Sequence, residues 1–280
     1  MLPIQQRLLR HIMQCSMQYG EHLNSMGITM ELQIARPSPR PLSELEEEWI
    51  ALFSTLRCAE ASKTEIRLRL GNLAAPFLSA ALTGYEPSGP GTVMLVGKAT
   101  AGKNTLGDAA VGDGYTAETV KQRTPAVVED LMSDKHNTHF WRFARKLSDA
   151  AAEKAGLQVI PFANLIWTNL AKIGVTEGNP TATLFRHQDA LAVETILAEV
   201  GCYKPRLVVF TTGWYRSGCV GRILQQLVNA SEGEGLSKEG YWSSPRRADA
   251  PAVLWTGHPQ GKTREWSNAT IVRAIDLLTV

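Results

Sequence analysis

The chain has 280 residues, 44% hydrophobic and 20% charged, with a formal net charge of +2. That is enough apolar material for a sizeable core, and the small net charge gives no global field demanding a polyanionic partner. No apolar run approaches the ~20 residues of a membrane span, and the four scattered cysteines, with no CxxC pair, argue against a disulfide scaffold, zinc finger or iron–sulfur cluster. A reducing cytoplasm is the expected setting, since Gln, Arg and His interrupt the N-terminal stretch MLPIQQRLLRHIMQ and it does not read as a secretory signal.

Residues 1–90 read mainly as a helical extension or cap. Ile4, Leu8 and Ile12 recur at helical spacing, and Ser43 with Glu46 forms a capping-box pattern ahead of Leu45, Trp49, Phe53 and Leu56. ARPSPRPL (35–42) and GYEPSGPG (84–91) are breaks. From residue 91 the pattern changes to strands alternating with helices. TVMLV (92–96) predicts a buried strand ending at Gly97, followed by a Gly- and Ala-rich loop to about Tyr115. HFWRFARKLSDAAAEKAG (139–156) predicts a helix with Phe140, Phe143, Ala144 and Leu147 inward and Gly156 as its stop. LQVIPF (157–162) predicts a second strand and RLVVFT (206–211) a third, with helices over 182–200 and 214–229. A polar, mobile loop is expected over 229–251, then a fourth strand, VLWT (253–256), and a closing helix from about Asn268. The alternation predicts an α/β fold: a four-stranded, mainly parallel sheet flanked by helices over 91–280.

Ligands of such sheets bind beyond the carboxyl ends of the strands. The segments predicted there are GKATAGKN (97–104), ANLIWTN (163–169), TGWYR (212–216) and TGHPQGKTR (256–264), so one composite site is expected. Gly97, Gly102 and Lys103 fit a phosphate-loop spacing, but Asn104 replaces the Ser or Thr that would hold magnesium. The Gly-rich stretch that follows is a poor phosphate-cradling helix.

Taken together, the four segments resemble the uracil-DNA glycosylase superfamily. LVGKATAG (95–102) is similar to its first motif, NTHFWRFARKL (137–147) to the Asn-x-x-Phe-Trp segment of the mismatch-specific branch, and VVFTTGW (208–214) to the third-strand segment. His258-Pro259 stands for the last motif. The resemblance covers about residues 91–280 and implies that a base is flipped out of DNA into a pocket and cut from its sugar, leaving an abasic site. It implies that Asn164 reads the base edge and Phe140 stacks on the base. His258 would donate to the pyrimidine O2, with Gly97, Ala99, Ala101 and Trp214 lining the pocket. Lys98, Lys103, Lys262 and Arg264 would hold phosphates. Ala99 stands where the family commonly has Asp or Asn, so the carboxylate would come from Asp108, Asp113 or Asp134. Ala101 stands where a Tyr blocks substituents at C5. A C5-modified pyrimidine, conceivably a modified viral cytosine met in defence, is therefore expected as substrate beside uracil or thymine. No metal or cofactor is implied; DNA is the expected partner, a membrane is not, and a monomer is favoured. A catalytically inactive nucleic-acid-binding member of the same fold and a phosphate-loop nucleotide hydrolase are the rival readings.

Overall fold

Short runs of β-branched and aromatic residues pair into one sheet, and the helices between them cover both of its faces. The computed structural model describes residues 40–61, 73–74, 80–81, 92–101, 138–175, 179–229 and 241–278. In chain order these form α1 (Leu42–Ala61), β1 (Leu73–Ala74), β2 (Ala80–Ala81), β3 (Val93–Ala101), α2 (His139–Lys154), β4 (Leu165–Val175), α3 (Ala182–Tyr203), β5 (Leu207–Phe210), α4 (Ser217–Val228), β6 (Tyr241–Ser244), β7 (Ala252–Thr256) and α5 (Arg264–Asp276). The sheet order is β1-β4-β3-β5-β7-β6, with β2 also pairing β4. β4, β3, β5 and β7 are mutually parallel, and β6 closes one edge antiparallel to β7.

The chain leaves β3 toward β4 on one side and returns past it to β5 on the other, so the carboxyl end of β3 is a topological switch point. Because crossovers are right-handed, the two directions put their helices on opposite faces. Val93, Leu95, Leu165, Val209 and Leu254 pack under α2 and α5 on one face. Met94, Val96, Ile166, Phe210 and Trp255 pack under α1, α3 and α4 on the other.

Three of the predicted strands are present, and the α/β architecture with its mainly parallel sheet stands; five strands rather than four exceed two residues. LQVIPF is not a strand. After α2 the chain closes a Schellman turn: Leu157 N–H donates to Ala152 O at 2.9 Å and Gly156 N–H to Glu153 O at 3.0 Å, with Gly156 at φ +68°. Pro161 then lacks the N–H a ladder needs, and Phe162 takes φ +60°, turning the chain so that the strand starts at Leu165 instead. β3 continues through Ala101 rather than ending at Gly97, and β6 lies inside the stretch expected to be a polar loop. The last helix starts at Arg264, capped by Thr263, ahead of the predicted Asn268.

α1 starts at Leu42, so Ser43 lies inside the helix rather than capping it. Its Trp49 and Phe53 are buried in the sheet core, and Trp49 Nε1–H donates to Thr195 Oγ1 at 2.9 Å. Segment 40–61 is therefore part of the α/β unit, which spans Pro39–Val280, rather than of a separate cap ending at residue 90. The helix predicted around Ile4–Met13 lies outside the described residues, as do Lys103, Asp108, Asp113 and Asp134. Among the described residues, no helix is long and apolar enough to cross a membrane.

Candidate active site at the carboxyl edge of the sheet

Register decides which side chains meet. Val93 pairs with Leu165, Val96 with Phe210 and Gly97 with Asn169, so Gly97 and Asn169, inside the longer strands β3 and β4, lie level with the point where β5 ends, while Asn164 precedes β4 at the amino end. Asn164 is thus on the opposite edge from Thr212 and His258, which follow β5 and β7. The expected base-reading role of Asn164 fails on geometry. Its buried side-chain oxygen instead accepts from Ser148 Oγ at 2.5 Å, tying α2 to the turn before β4.

Asn169 is the asparagine at the site, and it is only 2% exposed. A Cβ on Gly97 would overlap the Asn169 side-chain oxygen and come within 3.6 Å of Phe140 Cε2. Glycine at this position is what lets the amide and the ring approach β3 together. The signal for Asn169 is in the sequence: LIWT is β-branched and aromatic, and Asn follows it, while Pro161 weakens the rival run.

Phe140 is placed by α2, whose N-cap Thr138 accepts from Trp141 N–H at 3.4 Å. Trp141 and Trp167 meet edge-on at 4.7 Å between centroids, and Trp141 meets Phe140 edge-on at 5.0 Å, fixing its tilt. The Phe140 ring lies nearly parallel to His258, at 15° and 5.7 Å between centroids.

His258 is oriented by its own turn. Its Nδ1 accepts from Gln260 N–H at 3.2 Å, which leaves the proton of the neutral ring on Nε2. Burial, with the Lys98 ammonium nearby, pushes its pKa down to about 4, so the ring is neutral at pH 7. Lys98 is itself partly buried, and burial lowers its pKa. The β5 turn closes against the same place: Gly213, at φ +55°, faces Gly257 and the His258 amide, and its N–H donates to Thr256 O at 2.8 Å.

Other expected members are dispersed. Ala99 packs against the core on the α3 side, away from Phe140. Ala101 is the last residue of β3, paired with Val175. Trp214 is 65% exposed and meets Trp255 edge-on at 6.3 Å, which puts it on the rim. Lys262 reaches back over the Trp266 ring at 5.7 Å and borders Gly257, and Arg264 opens α5 beside it. The site is thus a buried amide, a neutral imidazole carrying its proton on Nε2 and an aromatic wall, gathered at the switch point of the sheet. No protein-family model and no curated protein matches the chain.

Proposed function

We propose that this protein is a DNA glycosylase that flips a pyrimidine base from DNA and hydrolyses its N-glycosidic bond. The observation that carries the reading is the grouping of Gly97, Asn169, Phe140 and His258 at one strand edge. A base stacked on the Phe140 ring beside His258 lies in a plane close to that of the imidazole. Its O2 then meets Nε2–H edge-on, and the Asn169 amide offers a donor and an acceptor to the Watson–Crick edge. As the bond from base nitrogen to C1′ breaks, its electron pair leaves with the base and negative charge gathers on O2. A neutral donor already in place stabilises that charge without reorganising. Water then adds its oxygen to C1′ and its proton balances the base anion. The carboxylate that would orient this water belongs to Asp108, Asp113 or Asp134, and Lys98, Lys103, Lys262 and Arg264 would hold phosphates around the flipped nucleotide. Ala101, where the family's blocking ring would stand, supports a C5-modified pyrimidine as the preferred substrate.

The continuation of β3 past Gly97 speaks against the nucleotide-hydrolase reading, because a phosphate loop begins where its strand ends. The test is to incubate the protein with oligonucleotides carrying uracil, thymine, cytosine or C5-substituted cytosines and to score abasic sites by alkaline cleavage. Cleavage at one pyrimidine class, strongest for the C5-modified bases, is expected. Tight binding with no abasic product on any base would leave only a binding protein.

A further inference from the structure

Lys98 is placed for more than a phosphate contact. It follows Gly97 on β3, and Gly97 is the position against which Asn169 and Phe140 close. β3 pairs with β5 only as far as Val96, so Lys98 borders the gap of the switch point, where the β5 and β7 turns bring in Gly213 and His258. Its side chain is partly buried, and among the described residues it has no salt-bridge or hydrogen-bond partner. Burial is what acts on it, and burial favours the neutral amine over the ammonium. Its charge in turn helps to keep the His258 ring neutral, so the two groups are neighbours.

In a pyrimidine nucleoside, O2 and C1′ are borne by adjacent ring atoms. A nucleotide whose O2 meets His258 therefore has its C1′ beside the same imidazole, within the neighbourhood of Lys98. We propose that Lys98 is a nucleophile toward C1′ of the abasic sugar, so that the protein also cuts the DNA strand at that sugar. The proposal rests on the glycosylase reading for the placement of the sugar. The Nζ lone pair adds to the aldehyde carbon of the ring-opened sugar. The aldehyde oxygen leaves as water with the two amine protons, and the resulting imine takes one proton from solvent. That cation acidifies C2′. Solvent removes a C2′ proton, its electron pair forms the C2′–C3′ double bond, and the 3′ phosphate leaves with the electrons of the C3′–O bond. Water then hydrolyses the imine and returns Lys98. No oxidant or reductant is needed, and a desolvated lysine beside a second basic group is the form of amine suited to such a step.

An oligonucleotide holding one preformed abasic site, incubated with the protein and sodium cyanoborohydride, tests this without any excision step. Hydride converts the imine to a stable secondary amine, so a covalent protein–DNA adduct is expected, and a cut strand when the hydride is left out. Lys98→Arg keeps the positive charge and a phosphate contact but is no nucleophile. It and Lys98→Met should lose both adduct and cutting. Lys154→Met, in the last turn of α2, should keep both. Proteolysis and mass spectrometry of the wild-type adduct identify the DNA-bearing residue whatever the stability of the variants, and Lys98 is expected. No wild-type adduct, an undiminished adduct in Lys98→Arg, or an adduct carried by another amine overturns the proposal. The two readings fail separately: a protein that releases no base but is trapped through Lys98 on the preformed site keeps the lysine chemistry and loses the glycosylase. One that excises bases and is never trapped loses only the lysine chemistry.

Discussion

His258 owes its chemistry to two neighbours in its own loop and strand layer. The Gln260 amide fixes the tautomer, and burial with Lys98 nearby keeps the ring neutral. Followed by NMR, the His258 ring should titrate with a midpoint of about 4 rather than near 6.5. Lys98→Met removes a nearby positive charge and should move that midpoint upward. Because the folded pKa lies below the unfolded one, the unfolded chain binds the extra proton between pH 6.5 and 4. This histidine's contribution to stability is therefore whole above 6.5 and is lost as pH falls through that window. A midpoint near 6.5 would mean that the ring is solvated and charged whenever acid is present, and the neutral-donor role would go. His258 is legible in the sequence because it follows an unambiguous strand, VLWT. Asn169 is harder to pick out, because two apolar runs, LQVIPF and LIWT, compete for one strand within a few residues; Pro161 favours the second, and the turn at Phe162 completes the shift.

At the level of elements, that one shift of β4 explains the largest error in the sequence reading. Moving the strand from 157–162 to 165–175 carries Asn164 from the carboxyl edge to the amino edge and brings Asn169 level with Gly97. The two asparagines should separate cleanly in experiment. Asn164→Ala leaves Ser148 without its acceptor in a buried place, which costs about 1–3 kcal/mol in chemical denaturation, with excision by the folded protein unchanged. Asn169→Ala should impair both rate and discrimination among bases in the folded protein. The reverse assignment of effects would return the base-reading role to Asn164. The α2 helix, by contrast, reads plainly from sequence, since apolar periodicity and Gly156 agree, and in the structure Thr138 caps it. β6 does not, because YWSS is too short and too polar to stand out; it is held by pairing with β7 and by Tyr241 and Ser243 bonding to Thr270 and Arg273 of α5.

Across the whole molecule, the alternation of elements reveals the fold class, but strand order and the polar interior belong to tertiary packing. Lys172, in a strand buried along its whole length, is fully buried; its Nζ donates to Glu199 Oε1 of α3 at 2.6 Å and also to Thr168 Oγ1. Nothing in the local sequence pairs a strand lysine with a helix glutamate so far along the chain. Lys172→Met strands a buried carboxylate and should cost about 3–5 kcal/mol, whereas Lys172→Met with Glu199→Leu should recover most of that in the same urea titration. Equal losses in the single and double variants would show that the pair is not coupled. This interior network and the two packed faces hold β3, β4 and β7 in register, and that register gathers the site. The central claim is that the neutral His258 at this strand edge drives departure of the base. It is tested most directly by single-turnover excision of the best substrate by wild-type protein and by His258→Ala. Loss of one such donor predicts a fall of about 10²–10³ in the chemical rate, and a variant excising at the wild-type rate would contradict the account.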